Sequence, residues 1–185
     1  MRELEVKILE VNRDRVEEIL ANVGAKRVFD GEVETMFFDF KNGAIAEAKN
    51  LLRLRKEKHK TELTYKRVLG NQEVKAAEEY TVEVSDLERM KKILEYLGLY
   101  VVEKTQKHRV SYSLDRLHFD IDKYKGEHAY IPEFLEIEAE SVDLINKYAN
   151  ILGFKAKDCL PWSTKDLIKH YFSMNGKSEV SEGVL

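Results

Sequence analysis

The sequence predicts an α+β fold in which helices cover one face of an antiparallel sheet. Two observations carry the prediction. At least six short segments alternate charged and apolar residues, the period of strands with two unlike faces. Three or four longer segments place apolar residues at helical spacing between capping residues and glycines. Helix stripes and apolar strand faces must both be covered, so the economical packing lays the helices on the outside. The charged strand faces are then left together. In an open sheet they face water; in a barrel of about eight strands they line an interior.

The first segment, residues 1–8, alternates Glu3, Glu5 and Lys7 with Leu4, Val6 and Ile8. Two carboxylates about 7 Å apart along a strand, followed by an amine, suit a hard cation and one end of an anion. An ordinary half-exposed strand has the same pattern, so the rest of the chain decides. Residues 12–24 follow as a helix, with Val16, Ile19, Leu20 and Val23 on one face, Asn12 as N-cap and Gly24 beyond its end. Residues 27–40 read as one or two strands, with Met36, Phe37 and Phe38 assigned to the core. The 41–43 and 70–71 pairs of Asn and Gly mark turns.

Residues 51–55 set Arg53 and Arg55 opposite Leu52 and Leu54, and residues 62–66 set Thr64 and Lys66 opposite Leu63 and Tyr65. The charged run 56–60 between them reads as a solvated hairpin end. In 79–83, Glu79, Thr81 and Glu83 share a face. Ser85 and Glu88 then have capping-box spacing at the start of a second helix, which carries Leu87, Met90, Leu94 and Leu97 and ends at Gly98. A strand over 99–113 places Lys107 and Arg109 on one face, and a turn at 114–117 returns the chain. The strand 118–122 then sets His118, Asp120 and Asp122 opposite Phe119 and Ile121. Residues 134–138 bring Glu136 and Glu138 together. Residues 141–153 form a third helix, and a last one opens at Ser163 carrying Leu167, Ile168, Tyr171 and Phe172. Three times an acidic strand leads through a polar cap into a helix closed by glycine, an echo that suggests units each bringing acids to one site.

The 185 residues suit one domain, expected over 1–175, with a disordered tail over 176–185 where no apolar period remains. The charged fraction of 35% exceeds the usual value of about 25%, yet the net charge is only −3. Both signs therefore lie close together, which argues against a nucleic-acid face or a membrane patch. Cys159 is the single cysteine, so no intrachain disulfide or cysteine metal cluster is possible. No apolar run reaches membrane-spanning length and the N-terminus has no signal-peptide pattern, so a cytoplasmic location is expected.

Burying this many charges costs several kcal/mol per ion before pairing, so an inward-facing set implies something to serve. Two charges 4 Å apart gain about 1 kcal/mol in water but about 4 kcal/mol at an effective dielectric near 20. An enclosed site therefore grips a polyanion better than a flat surface does. Arginine pairs offer forks to phosphate, and lysines offer point charges. Carboxylates reach phosphate only through a divalent cation. The two charge sets together imply a metal–polyphosphate site.

At this point the chain resembles the CYTH superfamily, the triphosphate tunnel metalloenzymes. The match begins with Glu3-Leu-Glu-Val-Lys7, in the form Glu-x-Glu-x-Lys. It continues in order through Leu52-Arg-Leu-Arg55, Thr64-Tyr-Lys66, Lys107-His-Arg109, Asp122 and Glu136-Ile-Glu138, covering roughly residues 1–172. The resemblance implies a closed eight-stranded antiparallel barrel, a tunnel with a charged interior and helices outside. It implies that Arg53, Arg55, Lys66 and Arg109 hold triphosphate oxygens, with Lys7 and Lys107 assisting. It further implies that Asp122, Glu136 and Glu138 bind Mg²⁺ or Mn²⁺, with Glu3 and Glu5 at the same or a second ion. Glu3, Glu5, Lys7, Lys107 and Arg109 would then be catalytic, with Glu79, His118 and Asp120 as further candidates. The chain departs from its relatives at Ala77, Glu79 and Thr81 and again at Ser163-Thr164.

The resemblance implies one of two reactions. A class IV adenylyl cyclase converts ATP to cyclic AMP and pyrophosphate. A triphosphatase hydrolyses tripolyphosphate, thiamine triphosphate or a nucleotide. A non-catalytic polyphosphate or nucleotide binder is the third reading. The expected partner is a small-molecule triphosphate, without nucleic acid or membrane, in a chain compatible with a homodimer.

Overall fold

The computed structural model describes residues 2–68 and 75–174. The turn expected at 70–71 and the tail expected over 176–185 lie outside these residues. Eight strands run β1 (Arg2–Ile8), β2 (Lys26–Phe40), β3 (Leu51–Glu57), β4 (Lys60–Val68), β5 (Lys75–Glu83), β6 (Leu99–Leu114), β7 (Leu117–Tyr124) and β8 (Phe134–Ala139). The α-helices among the described residues are α1 (Arg13–Asn22), α2 (Ala44–Glu47), α3 (Leu87–Tyr96), α4 (Val142–Ile151) and α5 (Thr164–Met174).

The strands make one curled antiparallel sheet in the order β1-β5-β4-β3-β2-β6-β7-β8, and β8 pairs back onto β1. Strand β1 therefore has a partner on each side, with Glu5 opposite Lys75 on β5 and opposite Glu138 on β8. The three acidic strands that echo one another in sequence, β1, β5 and β8, are neighbours. The expected strand at 27–40 is a single one, bent by register shifts between Arg27 and Phe29 and between Phe37 and Phe38. Such irregularities let a long strand turn with the sheet.

Helices α1 to α4 bury their stripes on the outer sheet face. Val16 and Leu20 of α1 and Ile145 and Ala149 of α4 join Val6, Val110, Phe119, Leu135 and Ile137 in one core. Each fully buried Leu, Ile or Phe contributes about 1.5–3 kcal/mol by leaving water. On the opposite flank, Leu94 of α3 and Ile45 of α2 pack with Phe38, Leu54 and Leu99. Helix α5 lays Leu167 and Tyr171 against Tyr124, Ile131 and Phe134. Tyr124 and Phe134 share the pleat face of Asp122 and Glu136, so α5 covers one end of the sheet's inner surface.

Local signals explain most helix boundaries. Asn12 caps α1 by accepting from the Arg15 amide, and Ser141 caps α4 by accepting from the Leu144 amide. Gly24, just past α1, has φ +84°, the left-handed conformation that glycine adopts without steric cost. The cap of α3 differs from the expected box. Asp86, not Ser85, accepts from the Arg89 amide, because the chain enters the helix one residue later. The short helix α2 carries no period to be read. It hangs instead on Asp39, whose carboxylate accepts from the amides of Phe40, Ile45 and Ala46.

Candidate functional site

Alternation along β3 and β4 turns Arg53, Arg55 and Lys66 inward. In register, Arg55 lies between Thr35 and Glu62, and Arg53 between Phe37 and Thr64. Lys66 lies between Leu51 and Glu79. On the acidic side, Glu5 faces Glu138 and Lys7 faces Glu136 across the β1–β8 ladder. Asp120 faces Glu136 and His118 faces Glu138 across β7–β8. Arg109 faces Asp122 across β6–β7. These walls border a cavity of about 740 Å³ lined by Glu5, Lys7, Arg53, Arg55, Lys66, Lys107, Arg109, Asp120, Glu136 and Glu138.

The acidic side is densely paired. Lys7, only 1% exposed, donates to Glu5 and reaches Glu136 Oε1 at 2.7 Å. Burial pushes its ammonium pKa down, but Glu136 and Glu5 outweigh burial and leave it above the ordinary value. Arg109 forks onto Asp122 through Nε at 2.7 Å and Nη2 at 2.6 Å, donates to Glu136 at 2.7 Å, and pairs with Asp120. Burial raises the Glu136 carboxyl, yet Lys7, Lys107 and Arg109 hold it well below its usual range. Burial likewise opposes ionisation of Asp120, and Arg109 with His118 overcomes it, bringing the carboxyl to about 2.

The cationic side is left short of partners. Arg53 Nε and Arg55 Nε are buried without a hydrogen bond. Glu57 Oε1 stands 3.2 Å from Arg55 Nε but is not aligned to accept, while Arg55 Nη2 donates to Glu62 at 3.1 Å. Arg53 Nη2 is 3.8 Å from Glu79, whose nearer partner is Lys66. Burial, with the like charges of Arg55 and Arg109, depresses Arg53 to about 10. Lys107 is lowered as well, by burial and then by Arg109, although it donates to Asp122 at 2.5 Å. Unspent guanidinium donors beside repelling like charges define a position that favours an anion.

Not every expected residue lines the cavity. Asp122 is fully buried behind it, with both oxygens taken by Arg109 and Lys107. Its geometry is that of a residue aiming two cations rather than a carboxylate open to a metal. Asp120, the further candidate two residues away, does border the cavity. Glu79, paired with Lys66, and His118, 3.4 Å from Asp120, are not part of its lining either. Glu3 occupies β1 opposite Ala77, and its side chain lies outside the described set. One residue assigned to the core is inward instead. Met36 and Phe38 do join the core, Phe38 also touching the cavity, whereas Phe37 borders the cavity without joining that core. The signal was present in its alternation with Thr35 and Asp39, which share its face.

Residues 1–158 match the family model described as CYTH domain. The chain belongs to the CYTH domain family. A Methanocaldococcus jannaschii protein named as a candidate adenylate cyclase is 29% identical over 152 residues, 82% of this CYTH protein and 84% of its relative. A Pyrococcus horikoshii protein of known structure superposes with a TM-score of 0.74 at 28% identity, covering 89% and 98% of the two chains. A Hippeastrum protein named as a candidate adenylyl cyclase, and described as having a dominant triphosphatase activity, shares the fold at 16% identity. Its TM-score is 0.63 over 98% of this chain and 100% of that one.

A divalent cation can be tested against the donors in this CYTH domain. Glu5, Glu136 and Glu138 offer hard oxygen ligands on the cavity wall. Among the described residues no three acidic or histidine groups already converge on one point. Magnesium suits that arrangement, since it takes one or two carboxylates and completes its shell with water and substrate phosphate. The donors therefore fit a hard divalent ion. None of the described helices is long and apolar enough to cross a membrane.

Proposed function

We propose that this CYTH domain, over residues 1–175, is a metal-dependent enzyme that acts on a small-molecule triphosphate within a closed, charged barrel. The reaction we propose is of class IV adenylyl cyclase type, ATP to cyclic AMP and pyrophosphate. The observation that carries the reading is the division of the cavity. The buried, unsatisfied Nε donors of Arg53 and Arg55 stand on one wall, and the carboxylates Glu5, Glu136 and Glu138 on another.

In this reading Arg53, Arg55, Lys66 and Arg109 hold the triphosphate oxygens, and Lys7 and Lys107 add charge. Glu5, Glu136 and Glu138, with Glu3 preceding them on β1, hold Mg²⁺ or Mn²⁺. The ion supplies charge neutralisation at phosphorus and a lower pKa for the attacking oxygen. The ribose 3′-oxygen forms a bond to the α-phosphorus as the bond from that phosphorus to the α,β-bridging oxygen breaks. The hydroxyl proton is lost to solvent and pyrophosphate leaves. Lys107 and Arg109, oriented by Asp122, steady the charge that moves onto the leaving group.

A second reading is hydrolysis, in which water attacks the terminal phosphorus on the same cationic clamp. It is favoured by the activity described for the Hippeastrum protein, which shares the fold. Phosphoryl transfer depends mainly on positioning and charge stabilisation, so one clamp serves both reactions. The deciding experiment incubates the protein with ATP, thiamine triphosphate or tripolyphosphate, with Mg²⁺ or Mn²⁺, and identifies products chromatographically. Cyclic AMP supports the first reading and orthophosphate the second. No turnover of any triphosphate removes both.

A further inference from the structure

Three aromatic residues, Phe37, Phe38 and Tyr124, border the cavity, and of the three only Phe37 is not buried. Phe37 stands in register with Arg53 on β3 and with Glu103 on β6, and its ring is partly exposed at the cavity wall. An aromatic ring does not serve a phosphate chain. It places an apolar, π-bearing surface beside a guanidinium whose Nε has no partner. Its inward neighbours extend the surface: Leu51, two residues before Arg53, also borders the cavity. Helix α2 closes the same end, held there by its Ile45 and Ala46 amides, which donate to Asp39. The cavity thus has a cationic stretch and an apolar end that meet at the Phe37–Arg53 pair.

We propose that Phe37 is a specificity-determining residue, a platform on which the planar ring of an organic triphosphate stacks while Arg53 holds the adjoining phosphate. The inference rests on the triphosphate reading above and deepens it, since it assigns the site to nucleotide-like esters over inorganic tripolyphosphate. Cross-strand neighbours have Cβ atoms about 4.5–5.5 Å apart, so ring and guanidinium reach adjoining groups of one ligand. Stacking on an aromatic side chain discriminates a ligand with a π face from one without, and leaves the phosphate contacts unchanged.

The test is calorimetric binding, with Ca²⁺ in place of Mg²⁺ and with product analysis confirming that both ligands stay intact, of α,β-methylene-ATP and of tripolyphosphate to wild type and Phe37→Leu. The expected result is about a tenfold loss of affinity for the nucleotide analogue, with tripolyphosphate within about twofold of wild type. A second variant, Phe37→Trp, retains a ring and gives an independent readout. Its added fluorescence, after subtraction of the Trp162 signal in wild type, is quenched by the analogue and not by tripolyphosphate. Equal losses for both ligands in a folded Phe37→Leu protein, or no quenching in Phe37→Trp, overturn the platform and leave the triphosphate reading intact. Failure of wild type to bind either ligand overturns both.

Discussion

Lys7 and Glu136 face each other across the β1–β8 ladder, and the ammonium that bridges them at 2.7 Å also pairs with Glu5. A single buried cation thus holds together two carboxylates proposed as metal ligands. Replacing Lys7 with Met leaves those carboxylates buried and mutually repelling. Removing one partner of a buried ion pair costs about 3–5 kcal/mol. Lys7→Met is expected to lose stability of that order in urea titration, and added Mg²⁺ is expected to restore part of it by neutralising the two carboxylates.

Asp122 and Arg53 make a contrasting pair of substitutions. Asp122→Asn strips charge from the fork that satisfies Arg109 and Lys107, so it is expected to cost about 3–5 kcal/mol of stability. Arg53 is buried among like charges with an unsatisfied donor, so its charge is a burden on the ligand-free fold. Arg53→Met is expected to leave the melting temperature equal or higher while weakening tripolyphosphate binding about a hundredfold, the loss of one charge-assisted contact in a dry site. Thermal melts and calorimetry on the same samples check both halves. A large drop in stability for Arg53→Met would mean that its charge is satisfied without ligand.

The helix caps show how far local sequence reaches. Ser85 and Glu88 have the spacing of a capping box, yet Asp86 makes the bond to the Arg89 amide. Asp86→Ala is expected to cost about 1 kcal/mol in urea titration, and Ser85→Ala close to nothing. The reverse order would return the cap to Ser85.

Alternation exposed the strands because each has one apolar face, and it grouped Arg53 with Arg55 and Glu136 with Glu138 for the same reason. It could not say that Asp122 is spent on Arg109 while Asp120 borders the cavity, since both lie on one pleat face and only depth separates them. Phe37 was hidden differently. It sits between Met36 and Phe38, and hydrophobicity alone assigned all three to the core, although the period of two separates the middle one from its neighbours. Helix α2 left no period at all, being one turn long and fixed by a distant carboxylate.

Acid should dismantle the site from its carboxylates outward. Asp120 is held at about 2 against an ordinary 3.8, chiefly by Arg109 overcoming burial, and Glu136 is held well below 4.5 by Lys7, Lys107 and Arg109. Both groups are depressed in the folded state, so the unfolded chain binds more protons between the two sets of values. The stability they contribute is complete above about pH 5 and is lost as pH falls towards 2. For Asp120 alone that contribution is about 2 kcal/mol. Asp120→Asn is therefore expected to be less stable than wild type at pH 7 and to lose less on acidification, so that the two urea midpoints converge between pH 4 and about pH 2. Parallel curves would show that Arg109 leaves the ionisation of Asp120 unaltered on folding.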